Sequence, residues 1–162
     1  AAQREDDLTA DLHAAMEGTP AHMRKRIQEL RKQADGPEDS AERRMARRVL
    51  GGAGSAVRAN LRALFTEGDY ELAVDLIEMA IAMRPEQSRN HFDLARAHAH
   101  LGNTKRALEA LRQAAEKGFA SAALVEGEAS FVKLKKDAAW TEVLAKIRAN
   151  PPEPERAGRG RP

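Results

Sequence analysis

The chain has 162 residues, 42% of them hydrophobic and 32% charged, and its 27 Lys and Arg against 25 Asp and Glu leave a formal net charge of +2. That length suffices for one ordinary domain. The lack of cysteine excludes disulfides and thiolate metal sites, no apolar run approaches the about 18 residues a membrane helix needs, and a near-neutral balance argues against a chain built chiefly to hold nucleic acid. Abundant alanine, with aromatic residues at only 4%, suits helices in small-residue contact, and no β-branched or aromatic run marks a strand.

In chain order, apolar periodicity predicts a short helix over 6–17 with Leu8, Leu12 and Met16 on one face. Thr19-Pro20 offers an N-cap and a first-turn proline for a second helix over about 20–34, striped by Met23, Ile27 and Leu30. Asp35-Gly36-Pro37 breaks it, and Ser40, with Glu42 nearby, opens a third helix to about Leu50 carrying Met45 and Val49. Gly51-Gly52-Ala53-Gly54 reads as a loop and as the internal boundary. Four helices then follow, at about 55–67, 69–83, 88–101 and 103–117. After Gly118 the pattern weakens to a short helix with Leu124 and Val125, a turn with Phe131 and Leu134, and a last helix from about Asp137 bearing Trp140, Val143, Leu144 and Ile147. Residues 151–162, rich in Pro, Gly and Arg, have nothing to bury and are expected to be disordered.

The four central helices repeat at an offset of 34 residues. Laying 61–85 over 95–119 pairs Gly68 with Gly102, Asp69 with Asn103, Ala73 with Ala107, Val74 with Leu108, Ile77 with Leu111, Ala80 with Ala114 and Ile81 with Ala115. Gly68 and Gly102 end apolar runs, where a helix stop needs a left-handed backbone, and Asp69 and Asn103 can cap the next helix. The paired alanines stand seven residues apart, nearly two turns, and so line a stripe that another helix can approach closely.

This pattern resembles the tetratricopeptide repeat. A first unit, 54–87, supplies Leu61, Leu64, Gly68, Ala73, Ile77, Ala80 and Pro85; a second, 88–121, supplies Leu94, Ala95, His98, Gly102, Ala107, Leu111 and Ala114. Two departures stand out: Asn60-Leu61 replaces a large–small pair, and Phe119 stands where the closing proline belongs. The resemblance implies an all-α, right-handed superhelix of helix-turn-helix repeats. The resulting layout is an N-terminal helical extension over 1–53, two repeats over 54–121, a degenerate third repeat or cap over 122–150, and the tail 151–162.

Nothing in the residues points to catalysis: there is no Gly-x-Ser-x-Gly elbow, no phosphate-binding glycine loop with a lysine, and no Cys-His pair. No cofactor is expected. His91, His98 and His100 cluster, but His91 and His98 occupy bulky packing positions of the second unit and lack the His-x-x-x-His spacing of a metal site.

The resemblance places the first helix of each repeat along a concave groove, which implies a partner-binding set of Arg58, Arg62, Phe65, Arg89, Phe92, Arg96 and His100. Arginines on such a wall suit the carboxylates of an acidic peptide, with the phenylalanines adding apolar contact. The function expected is therefore a protein–protein interaction module, free or as the tail of a larger bacterial protein, the Ala- and Arg-rich usage being of that kind. Two alternatives remain open. Arg24-Lys25-Arg26, Arg31-Lys32 and Arg43-Arg44 with Arg47-Arg48 make 24–48 the densest basic region, which a nucleic acid would use, and helices 6–34 could serve homo-oligomerisation. The start at Ala-Ala is compatible with a cytoplasmic chain, with a periplasmic or exported one after removal of a leader, and with a piece of a longer protein.

Overall fold

A computed structural model describes residues 40–152 and, before them, 10, 25, 28–30 and 32–37. The expected stripe residues Leu8, Leu12, Met16, Met23 and Ile27, and the tail beyond Pro152, lie outside the described residues. Within them the chain is all-α, and from Ala41 onward six helices follow in the order α1 (Ala41–Glu67), α2 (Tyr70–Met83), α3 (Ser88–His100), α4 (Thr104–Glu116), α5 (Ala122–Gly127) and α6 (Ala138–Ala149). Two 3-10 turns, Ala129–Val132 and Leu134–Lys136, join α5 to α6. The chain divides into two compact units, Ala1–Pro85 and Glu86–Pro162.

The starts and stops of these helices follow from local chemistry. Ser40 caps α1 by accepting from the Arg43 N–H at 3.1 Å, and Asp69 caps α2 by accepting from the Leu72 N–H at 3.2 Å. Asn103 precedes α4 without a side-chain cap bond. Gly68, Gly102 and Gly118 adopt φ values of 78°, 75° and 93°, the left-handed region an L side chain resists. Each is followed by an amide that reaches back five residues: Asp69 to the Leu64 carbonyl, Asn103 to His98 and Phe119 to Ala114, at 3.0, 2.9 and 2.9 Å. Three helices therefore end in the same hydrogen-bonded stop.

In the first unit the core joins Leu30 and Ala34 to Ala46, Val49, Leu50 and Val57 of α1 and to Leu76, Met79, Ala80 and Met83 of α2. This core overturns one expectation: Gly51-Gly52-Ala53-Gly54 is not a loop but the middle of a 27-residue helix. Leu50 and Val57 are two turns apart and 6% and 5% exposed, so the same buried stripe runs through the glycines and holds them helical. Glycine in a helix interior costs about 1 kcal/mol each, less than the burial of that stripe returns.

The second unit is built on α4, whose Ala107, Ala110, Leu111, Ala114 and Ala115 are all buried. Phe92 and Ala95 of α3 close one side, and Val125, Phe131, Leu134, Trp140, Val143, Leu144 and Ile147 close the other. Phe119, the departure from the closing proline, has a packing reason. Its ring stacks on Phe92 with centroids 4.6 Å apart and planes 10° apart. Asn150 then fastens the end of α6 to the end of α4, its Nδ2 donating to the Ala115 and Phe119 carbonyls at 2.8 and 2.9 Å. Ala73, Ala80, Ala107 and Ala114, the repeated small residues, are all buried, as their spacing predicts.

Candidate functional site

The expected partner-binding residues fall into two sets, one in each compact unit. In the first unit Arg58 and Arg62 stand exposed one turn apart on the C-terminal half of α1. Phe65, three residues on, is half-buried, with its ring edge-on to Tyr70 at a centroid distance of 5.8 Å. Among the described residues neither Arg58 nor Arg62 enters an ion pair. Both present guanidinium groups that no carboxylate among the described residues takes up.

In the second unit the outcome differs residue by residue. Phe92, expected to offer apolar contact to a partner, is 2% exposed and lies in the core between Phe119 and Phe131. The reason is the register of α3: Phe92 shares its buried stripe with Ala95, leaving no ring face for a ligand. Arg96, expected to be the counterpart of Arg62 one period on, is committed within its own unit. Its Nε donates to Glu128 Oε2 at 2.6 Å and its Nη1 lies 3.4 Å from Asp93 Oδ1. Arg89 is exposed, pairs with Asp93 at 3.5 Å, and lies over the Phe92 ring at 5.2 Å. His100 is exposed at the end of α3, while His91 and His98 are buried and fill the interior, as their repeat positions predict.

The carboxylates of this network are tuned in opposite directions. Burial raises the Asp93 carboxyl above its ordinary value, and Arg89 and Arg96 offset only part of that. Burial also pushes Glu128 upward, but the Ser130 backbone N–H, the Ser130 hydroxyl and Arg96 together hold it below its ordinary value. The Ser130 contacts are 3.2 Å from the amide and 2.9 Å from the hydroxyl, both to Glu128 Oε1. Sequence reasoning missed Asp93 as the partner of two arginines, although Arg89-x-x-x-Asp93-x-x-Arg96 was a legible helix-face signal. Glu128, 32 residues from Arg96, carried no such signal.

Arg84 was also missed. It caps the end of α2, is exposed, and lies across α1 at the glycines. A methyl group placed on Gly51 would sit 3.6 Å from Arg84 Nη2, and one on Gly54 would sit 3.9 Å from Arg84 Cζ.

Among the described residues no group of three or more His, Cys, Asp or Glu is arranged to hold a metal, and no helix is long and apolar enough to cross a membrane. Residues 64–126 match the family model for the tetratricopeptide repeat. No curated protein and no solved structure matches the chain. Repeats of this family serve protein–protein interaction and are typically non-catalytic. With its glycine-stopped helix pairs, the matched segment from Leu64 to Glu126 is a tetratricopeptide-like repeat segment, within described residues that are all-α.

Proposed function

We propose that this chain binds an acidic segment of a partner protein through exposed arginines on the first helices of its repeats. The observation that carries this reading is the pair Arg58 and Arg62, one turn apart on α1, exposed and outside any ion pair among the described residues. Guanidinium groups so placed can each form a two-pronged contact with a carboxylate, a geometry that lysine does not reproduce. Phe65 adds apolar surface beside them, and Arg89 with His100 forms the corresponding set on α3. Arg96 and Phe92 are left out of the binding set, since one is spent on Glu128 and Asp93 and the other on the core.

Selection from a random peptide display library tests the reading. Wild-type protein is expected to enrich sequences rich in Asp and Glu, and the Arg58→Ala, Arg62→Ala double variant to lose them while keeping its helical circular dichroism. Enrichment of peptides without carboxylates, or capture untouched by the double change, would refute it. A nucleic-acid role would instead show as oligonucleotide binding that weakens steeply with salt and depends on Arg43, Arg44, Arg47 and Arg48.

A further inference from the structure

The exposed stripe of α1 is broken in the sequence and continuous in space. Arg47, Gly51, Gly54, Arg58, Arg62 and Phe65 follow one another at steps of four, three, four, four and three residues, which keeps them on one stripe of the helix. Two of these positions are glycines, so α1 by itself leaves a gap of about 16 Å between Arg47 and Arg58. Arg84 fills that gap from α2, its guanidinium lying over Gly51 and Gly54. Arg47, Arg84, Arg58 and Arg62 are all exposed, and among the described residues none of them enters an ion pair. Arg44 and Arg48, further round the helix, have interactions of their own and are not counted in this row. Between Arg43 and Thr66 the chain contains no Asp or Glu, so the carboxylates of α1 are confined to its ends, Glu42 and Glu67.

We propose that Arg47, Arg84, Arg58 and Arg62 form one anion-binding rail about 22 Å long, and that its occupant is an extended protein segment with carboxylates at alternate positions. The proposal rests on the protein-interaction reading above and adds Arg47, Arg84 and the two glycines to it. Alternate side chains of an extended segment project on one face at intervals of about 6.6 Å. The arginines recur along α1 at about 6–8 Å, Arg84 taken at the midpoint of its glycines, and their long side chains can absorb the difference. Each exposed pair contributes little alone, so a row of four is what makes the surface selective for a carboxylate-dense partner. A nucleic acid is the poorer fit, because the ring at the end of the row, Phe65, is half-buried and edge-on to Tyr70 rather than a free stacking platform. The glycines are part of the device. A methyl group at either glycine would make only ordinary contact with Arg84, whereas the longer side chain of a leucine at Gly54 would compete for the guanidinium's place.

Fluorescence anisotropy at low salt, using the whole chain and a labelled peptide of alternating glutamate and serine about eight residues long, tests the rail. Arg47→Ala and Arg84→Ala are each expected to weaken binding about fivefold, as much as Arg58→Ala, and Gly54→Leu should reproduce the Arg84 loss. An all-serine peptide should not bind. If Arg58→Ala and Arg62→Ala weaken the peptide but Arg84→Ala and Arg47→Ala leave it unchanged, the rail is wrong while the acidic-partner reading stands. If the wild type ignores the peptide altogether, both fall. If single-stranded DNA of equal charge binds more tightly with the same arginine dependence, the occupant is a phosphate backbone and the proposed partner class is overturned.

Discussion

Arg96 on α3 donates from Nε to Glu128 at the start of the first 3-10 turn, 2.6 Å away, and so ties a repeat helix to the segment that closes the second unit. The pair is a third or less exposed on either side, at 26% and 16%, and Glu128 is further held by Ser130. The Arg96 position therefore has a structural use in the second unit, while its equivalent one period earlier, Arg62, is exposed.

Replacing Arg96 by methionine keeps the aliphatic stem and removes the charge. It is expected to cost about 1–2 kcal/mol, because Glu128 is left partly buried with one partner fewer. Urea midpoints of Arg96→Met, Glu128→Gln and the double variant measure the coupling as a cycle. Strict additivity would show that the contact contributes nothing to stability.

The two carboxylates that meet Arg96 give opposite pH dependences. Asp93 is raised, so its contribution is present below the unfolded value and lost as pH rises through the folded one. Glu128 is lowered, so its contribution is present above the unfolded value and lost as pH falls through the folded one. Between about pH 6 and about pH 3, Asp93→Asn should lose stability more steeply than wild type, and Glu128→Gln less steeply. Denaturation profiles that run parallel for all three proteins would contradict these assignments.

One substitution made at two glycines should change stability in opposite directions. Gly52 is exposed in the interior of α1, and a methyl group there meets nothing within 4 Å, so Gly52→Ala should stabilise by about 0.5–1 kcal/mol. Gly102 also has open space, but its φ of 75° penalises any L side chain, so Gly102→Ala should destabilise by about 1 kcal/mol or more. Thermal melts of the two variants should shift in opposite directions. A stabilised Gly102→Ala would mean that α3 does not end in a left-handed stop.

Trp140 is 8% exposed, edge-on to Phe131 at 6.1 Å, and in one core with Val143 and Ile147. Its fluorescence should be blue-shifted in the native protein and move to the red on unfolding. Truncation after Gly118 removes Phe131, Trp140 and Ile147 from α4 and breaks the Asn150 bonds to Ala115 and Phe119, so the fragment should aggregate or melt without cooperativity. A soluble, cooperative 1–118 fragment would argue against a capping role for 122–150.

Overpacking tests the register of the small-residue stripe. Ala107 is fully buried, and Ala107→Leu should cost about 1–3 kcal/mol. An unchanged melting temperature would place Ala107 on the wrong face.

Local chemistry was legible in the sequence by itself. The spacing of Gly68 and Gly102, the acceptor at Asp69, and the alanines at 73, 80, 107 and 114 determined the helix pairs to within a residue or so, the start of α1 excepted, because left-handed stops, caps and small-residue stripes act over a single turn. What only the tertiary structure decided was where long-range partners override local preference. Gly51–Gly54 reads as a loop by composition, yet the buried stripe from Leu50 to Val57 carries the helix through it. The family resemblance implied that Arg96 and Phe92 line a binding surface, but Glu128 and Phe119, 32 and 27 positions away, drew them into ion pairing and the core. Arg84 gained its place over the glycines only when α2 folded back on α1, since a helix face is written in its own residues but what covers it is supplied by another element.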